Sequence, residues 1–282
     1  MPHDVIATVL FAGLVHAGWN AVAKAWGGAD PLVTTSAIAV LGALLALPLL
    51  LLSGLPAAAS YPYVVASGAI HVVYFVLVGL AYRGADYSAV YPLTRGSAPL
   101  ATALLSSVVI GEMLPPLAWL GIAVLGAGII GLGSDALIKG GLDPRSAGLA
   151  GLNIVVIVGY TFLDGVGVRV SGNPAGYVLA MLALTGVMLL PVLLAGIGRD
   201  VLAGMAAHWR VGLAGGAMVT LSYGTALWAM TKAPIAMVAA LRETSVLFAA
   251  LIGAFLLGER LGPIKANAAA LILIGLVLLR LS

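Results

Sequence analysis

Residues 87–112 read YSAVYPLTRGSAPLATALLSSVVIGE, and residues 234–259 read PIAMVAALRETSVLFAALIGAFLLGE. Laid over one another at an offset of 147, they place Arg95 on Arg242 and the Gly111-Glu112 pair on Gly258-Glu259. The match extends outward. Leu114, Pro116, Ala123 and Gly128 fall on Leu261, Pro263, Ala270 and Gly275, and residues 89–128 share 11 identities in 40 with their copy, without a gap. Apolar composition alone yields chance matches among Leu and Ala, but it does not align Arg with Arg and Glu with Glu. Each stretch also has the length of a bilayer-spanning helix, about 20 residues. The sequence is therefore read as a duplicated membrane protein.

Composition agrees. Of 282 residues, 62% are hydrophobic and 8% are charged, against about 25% charged in a typical soluble domain. No soluble fold of this size covers its surface with so few charges. A cytoplasmic enzyme, a disordered chain and a nucleic-acid binder are excluded, because a net charge of +3 spread over the chain makes no phosphate-binding face. The absence of cysteine removes disulfides, thiolate nucleophiles and Cys-based metal sites.

Ten apolar runs lie between breaks, at about 4–26, 31–52, 62–82, 86–110, 115–133, 147–169, 174–196, 211–231, 234–257 and 262–281. The breaks carry turn chemistry, as in Ser53-Gly54-Leu55-Pro56 and Gly172-Asn173-Pro174. The first run is expected to be a span rather than a cleaved leader, since no Lys or Arg precedes it and its apolar stretch is too long. The connection from Ser134 to Ser146 divides the chain near its middle. The predicted architecture is all-α: ten transmembrane helices in two five-helix repeats, 1–140 and 141–282, around a central cavity. An odd number of spans inverts the second copy, which is the plan of secondary transporters that hold substrate between repeats near the bilayer midplane. Loop Lys and Arg number three on the side of the termini and eight on the other, which places the termini outside by the positive-inside rule.

Several pieces carry a resemblance to a known family. They are His16-Ala17-Gly18-Trp19-Asn20 with Lys24, Tyr91-Pro92-Leu93-Thr94-Arg95-Gly96, Gly111-Glu112, Ala240-Leu241-Arg242-Glu243-Thr244-Ser245 and Leu257-Gly258-Glu259-Arg260. The chain resembles the drug/metabolite transporter superfamily in its ten-helix EamA-type branch, and within it looks like bacterial metabolite exporters, including YddG-type amino-acid exporters. The resemblance implies a basket of ten helices in the bacterial inner membrane, alternating access, and export of amino acids, aromatic ones included, or similar metabolites. It also implies cytoplasmic termini, opposite to the loop tally. Multidrug or other metabolite efflux is the alternative within the same fold.

Charges at membrane depth cost a few kcal/mol, so each needs a partner or a purpose. In the fourth run, Ser88, Tyr91, Arg95, Thr102 and Ser106 share one helical face. They read as a pore-lining stripe or, alternatively, as a packed polar seam. Pro92 and Pro99 should bend or loosen that helix. Arg95 and Arg242 each suit a carboxylate or phosphate through the guanidinium fork, or else lock onto a nearby acid. Glu243 follows Arg242 directly, and successive helical residues point about 100° apart. Glu112 and Glu259 close their spans after a glycine and are expected to cap the N-terminus of the following helix, with proton coupling as the rival role. Asp164 shares a face with Asn153, Tyr160 and Gly167 and is either a proton carrier or an ion-pair partner of Arg169. His16 could titrate within its span.

Deep tyrosines need partners for their hydroxyls and so point inward. The candidate substrate residues are Trp19, Asn20, His71, Tyr74, Tyr91, Arg95, Tyr160, Tyr223, Trp228 and Arg242, and the candidate coupling or gating residues are Asp164, Glu243 and His16. Trp26, Trp119 and Trp209 read as interface anchors. There is no nucleotide-binding loop, and the four histidines have no metal-ligand spacing. No cofactor and no metal are expected. The expected partners are a small-molecule substrate and the bilayer, with no nucleic acid, and the chain reads as a carrier rather than an enzyme. A passive channel and an intramembrane lipid enzyme are the remaining rivals.

Overall fold

The computed structural model describes residues 1–26, 30–82, 87–134, 144–256 and 262–282. Every regular element among them is helical, as expected where lipid offers the backbone no other partner. The helices are α1 His3–Trp26, α2 Pro31–Ser53, α3 Tyr61–Tyr82, α4 Tyr87–Val109, α5 Pro116–Leu132, α6 Pro144–Val170, α7 Pro174–Ile197, α8 Asp200–Ala207, α9 Trp209–Met230, α10 Ile235–Arg242, α11 Ser245–Leu256 and α12 Pro263–Leu281. A 3-10 turn, Ala58–Ser60, precedes α3.

Among the described residues a helix occupies each of the expected apolar runs, with two departures: α8 is an extra short helix, and the ninth run is split into α10 and α11. Among the described residues, seven segments are long and apolar enough to cross a membrane. The surface agrees: Leu51, Leu52, Val108 and Met113 are each more than four-fifths exposed, which water would not tolerate on this scale. The chain is a multi-pass membrane protein.

The turn signals act as their chemistry dictates. Gly54 ends α2 at φ +80°, a conformation open to glycine. Asn173 opens α7: its Oδ1 accepts from the Gly176 N–H at 3.0 Å, and its Nδ2 donates to the Ser53 carbonyl at 2.8 Å. One side chain thus caps one helix and ties it to the end of another.

The two prolines of α4 do not break it, and the helix runs on past both. The break falls in the other copy, at Glu243-Thr244, where there is no proline. There the Thr244 N–H bonds to the Leu241 carbonyl at 3.1 Å and the Val246 N–H to the Glu243 carbonyl at 3.0 Å. These are tighter i→i−3 bonds replacing the α-helical ladder.

The contacts divide the chain into two units, each drawing on both halves of the sequence. One comprises 1–17, 85–162 and 232–282, the other 18–84 and 163–231. In the first unit α5 packs along α12 at small residues. A Cβ added at Gly121 would lie 3.1 Å from the Gly275 carbonyl, and one at Gly275 would lie 2.8 Å from the Gly121 carbonyl and 2.6 Å from the Leu125 nitrogen. One at Gly128 would lie 2.8 Å from both the Ala268 carbonyl and the Ile272 nitrogen. As numbers rise along α5 they fall along α12, so the two helices are antiparallel. In the second unit α2 packs on α7 and α9, and α3 on α7. Gly42 meets Gly216 backbone to backbone, while Val40, Phe75, Leu189 and Met205 contribute to an apolar cluster.

Candidate functional site

Each unit holds a buried polar nest. In the first unit it forms where α10 ends. All eight residues of α10 are buried, so its leading N–H groups cannot turn to water. Glu112 supplies one acceptor: its Oε2 takes the Ile235 N–H at 2.8 Å. Gly111, at φ +68°, turns the chain just before it. Glu112 is expected to cap the helix that follows it; the bond seen here caps α10, 123 residues away in sequence. Glu259 lies outside the described residues.

At the other end of α10 the helix stops at Arg242, and Thr244 Oγ1 donates to the Leu241 carbonyl at 2.7 Å. Glu243 keeps αR backbone angles, so it is the reach of the two long side chains that brings these adjacent residues together. Arg242 Nη2 lies 3.7 Å from Glu243 Oε1, although the 100° helical step had set them apart. From mid-α4, Arg95 Nη1 donates to the same oxygen at 3.0 Å. Arg95 Nη2 donates to His16 Nε2 of α1 at 3.2 Å. A guanidinium has only donors, so Nε2 is the accepting nitrogen of that ring. Arg95, Arg242 and Glu243 are all buried. Two arginines that align at the offset of 147 therefore meet on one carboxylate oxygen. Glu243 Oε2 is buried and has no hydrogen-bond partner.

The α4 stripe is buried rather than open: Thr102 Oγ1 donates to the Ala98 carbonyl at 2.9 Å, and Ser106 is wholly enclosed. Tyr160 is buried in this unit too. The side chains of Ser88 and Tyr91 lie outside the described residues.

In the second unit the nest centres on Asp164, which is fully buried on α6. Tyr177 of α7 donates to Oδ1 at 2.8 Å, and Tyr223 of α9 donates to Oδ2. Among the described residues Asp164 has no ion pair. Arg169, its expected alternative partner, instead donates from Nε to the Met230 carbonyl at 2.8 Å. His71 of α3 sets its ring edge-on to Tyr223 at 5.5 Å and to Tyr74 at 6.3 Å, with Nδ1 within 3.0 Å of the Ser67 carbonyl. Asp164, Tyr223, His71 and Tyr74 are thus brought together as one aromatic-walled cluster. Trp19 is buried, while Asn20 and Trp228 are half-buried. Trp209 is half exposed, with Arg210 over its ring at 5.4 Å, as an interface anchor would be. Lys24 and Trp26 side chains lie outside the described residues.

Sequence reasoning missed Tyr177. It is the fourth residue of α7 and completely buried. The available signal was its place beside the Asn173-Pro174 helix start, which fixes its direction.

Residues 146–281 match the EamA-like transporter family, just under half of the chain. That part of the chain is similar to a family of transporters. A search of curated proteins finds no match. A protein of known crystal structure superposes with a TM-score of 0.76 over 100% of this chain and 98% of its own, at 16% identity. That is a likeness of fold.

Proposed function

We propose that the chain is a secondary transporter of the bacterial inner membrane that exports amino acids, aromatic ones included, or similar small metabolites by alternating access. Ten spans form two inverted repeats, 1–140 and 141–282. The observation that carries this reading is the transporter-family match over 146–281, extended to the first half by the aligned Arg and Gly-Glu motifs at offset 147.

The packing of α5 on α12 supports the inversion. Under the offset, Gly121 corresponds to Ala268, Leu125 to Ile272 and Gly128 to Gly275. The Gly121–Gly275 contact then maps onto Gly128–Ala268, and Leu125–Gly275 maps onto Gly128–Ile272. Both mates exist. A contact that reproduces itself when the halves are exchanged is what a two-fold axis generates. Because the helices are antiparallel, that axis lies across them, in the membrane plane for spanning helices.

The two nests supply the chemistry. Arg95 and Arg242 offer guanidinium forks to a substrate carboxylate. Asp164, held by phenol hydroxyls, serves as a proton carrier. A second reading, efflux of lipophilic cations, draws on the same Asp164, whose described partners are neutral. Counterflow in proteoliposomes, with an amino-acid panel and a lipophilic-cation panel, each with and without a pH gradient, tests both. Saturable amino-acid counterflow supports the first reading. Counterflow of cations alone favours the second, and leak without counterflow sinks both.

A further inference from the structure

The two oxygens of Glu243 have unlike surroundings. Oε1 takes Arg95 at 3.0 Å and Arg242 at 3.7 Å, while Oε2 is buried with no hydrogen-bond partner. Arginine–carboxylate pairs are frequently bidentate, with both carboxylate oxygens bonded. Here both arginines approach one oxygen and the other is buried without a hydrogen-bond partner, which is costly unless a donor joins it.

The repeat sharpens the point. The offset that puts Arg95 on Arg242 puts Gly96 on Glu243. Gly96 cannot carry an acid, because a Cβ there would lie 2.6 Å from the Gly126 carbonyl, where α4 crosses α5. Close packing of these helices removes the side chain from one copy, and the acid of the other copy meets both arginines.

We infer that Glu243 is the selectivity residue of this site, recognising a solute that carries a carboxylate and an ammonium on the same carbon. The inference rests on the transport reading above. The solute carboxylate takes guanidinium N–H groups now directed at Oε1, and its ammonium donates to Oε2. A solute with only the carboxylate brings a second anion beside Glu243 and leaves Oε2 without a donor. A solute with only the amine satisfies Oε2 and gives the arginines nothing.

The test uses the full chain in proteoliposomes. Counterflow is measured for amino acids, for the matching deaminated acids and decarboxylated amines (leucine, 4-methylpentanoate and 3-methylbutylamine; phenylalanine, 3-phenylpropanoate and 2-phenylethylamine, and so on through the panel), and for uncharged and cationic solutes. Wild type should exchange an amino acid at least about tenfold faster than its acid or its amine, the weight of one charge-assisted hydrogen bond. Glu243→Gln should lose the preference over the deaminated acid, and Glu243→Asp should keep it. Equal exchange of an acid or amine with its amino acid, exchange only of solutes lacking one of the groups, or an unchanged preference in Glu243→Gln would overturn the inference while leaving the carrier intact. If no solute exchanges at all, the transport reading falls first. Where the Gln variant does not fold, Glu243→Ala and Glu243→Thr carry the same comparison, and an unchanged preference in any folded variant without the acid overturns the inference.

Discussion

Glu112→Ala and Glu112→Gln separate a helix cap from a coupling acid. Glu112 Oε2 accepts the Ile235 N–H at 2.8 Å, and Ile235 is fully buried. Alanine removes the acceptor and leaves a buried donor unsatisfied, at a cost of about 1–3 kcal/mol. It also removes a negative charge from a helix N-terminus, worth about 0.3–1 kcal/mol. Polar pairs measured inside membrane proteins average about 0.6 kcal/mol, with a maximum near 1.7, because the unfolded chain also finds partners there. The low end therefore governs, and Glu112→Ala should lose about 1–2 kcal/mol, a shift of roughly 5- to 30-fold in the unfolding equilibrium. Glutamine has the same reach and keeps an accepting oxygen, so Glu112→Gln should lose only the charge contribution, about 0.3–1 kcal/mol. Unfolding in a denaturing-detergent titration reads the stabilities, and counterflow with and without a pH gradient reads function. The Gln variant should transport like wild type under both conditions. A Gln variant that folds normally but no longer responds to a gradient would refute the cap and make Glu112 the coupling acid.

Other predictions follow from the same contacts. Arg95→Ala should abolish counterflow, because it removes a guanidinium the solute carboxylate needs; it should also unfold earlier in the same titration, because Arg95 ties α4 to Glu243 and to His16 of α1, while the protein still inserts and elutes as a monodisperse species. Normal transport by this variant would remove Arg95 from the substrate site. Tyr177→Phe keeps the ring and loses the hydroxyl that serves Asp164 Oδ1, so it should cost about 0.6–1.7 kcal/mol in the same titration. A double-mutant cycle with Asp164→Ala, which removes both accepting oxygens, should recover most of that loss as coupling. Asp164→Asn should keep exchange across liposomes without a gradient and lose any stimulation by one. If wild-type transport ignores a pH gradient, Asp164 returns to a structural role. Gly128→Val drives a side chain against the Ala268 carbonyl and the Ile272 nitrogen, and should destabilise by about 1–3 kcal/mol, as overpacking does.

Much of the helix layout was legible because its punctuation is local. Asn173-Pro174 starts a helix through its own side chain, and Gly54 ends one through a backbone conformation other residues avoid. The split of the ninth run was not legible for the same reason. Proline is the strongest local breaker, yet α4 holds two and continues, since buried neighbours can re-satisfy freed backbone groups. The copy with neither proline is the one that breaks, at Glu243-Thr244, where a buried ion cluster and the Thr244 hydroxyl supply alternatives to the helical ladder.

The site was legible as a set of side chains and much less as a set of pairs. Arg95, Arg242, Glu243, Asp164, Tyr223 and His71 all announce themselves as polar groups in apolar runs. Their partners lie far away in sequence, 148 residues for Arg95 with Glu243 and 123 for Glu112 with Ile235, and local periodicity says nothing about such distances. The repeat itself holds more information than its motifs. Under a two-fold relation, a residue near the axis sits close to its own copy, so contacts near the axis have sequence separations close to the offset. Gly186 faces Ala39 and Arg95 pairs with Glu243, while the α5–α12 contacts Gly121–Gly275 and Gly128–Ala268 straddle the same value from either side. An offset of 147 read from aligned Arg and Glu residues thus carries contact information as well as kinship. The two-fold relation proposed above would bring two arginines from opposite halves to one carboxylate in this way.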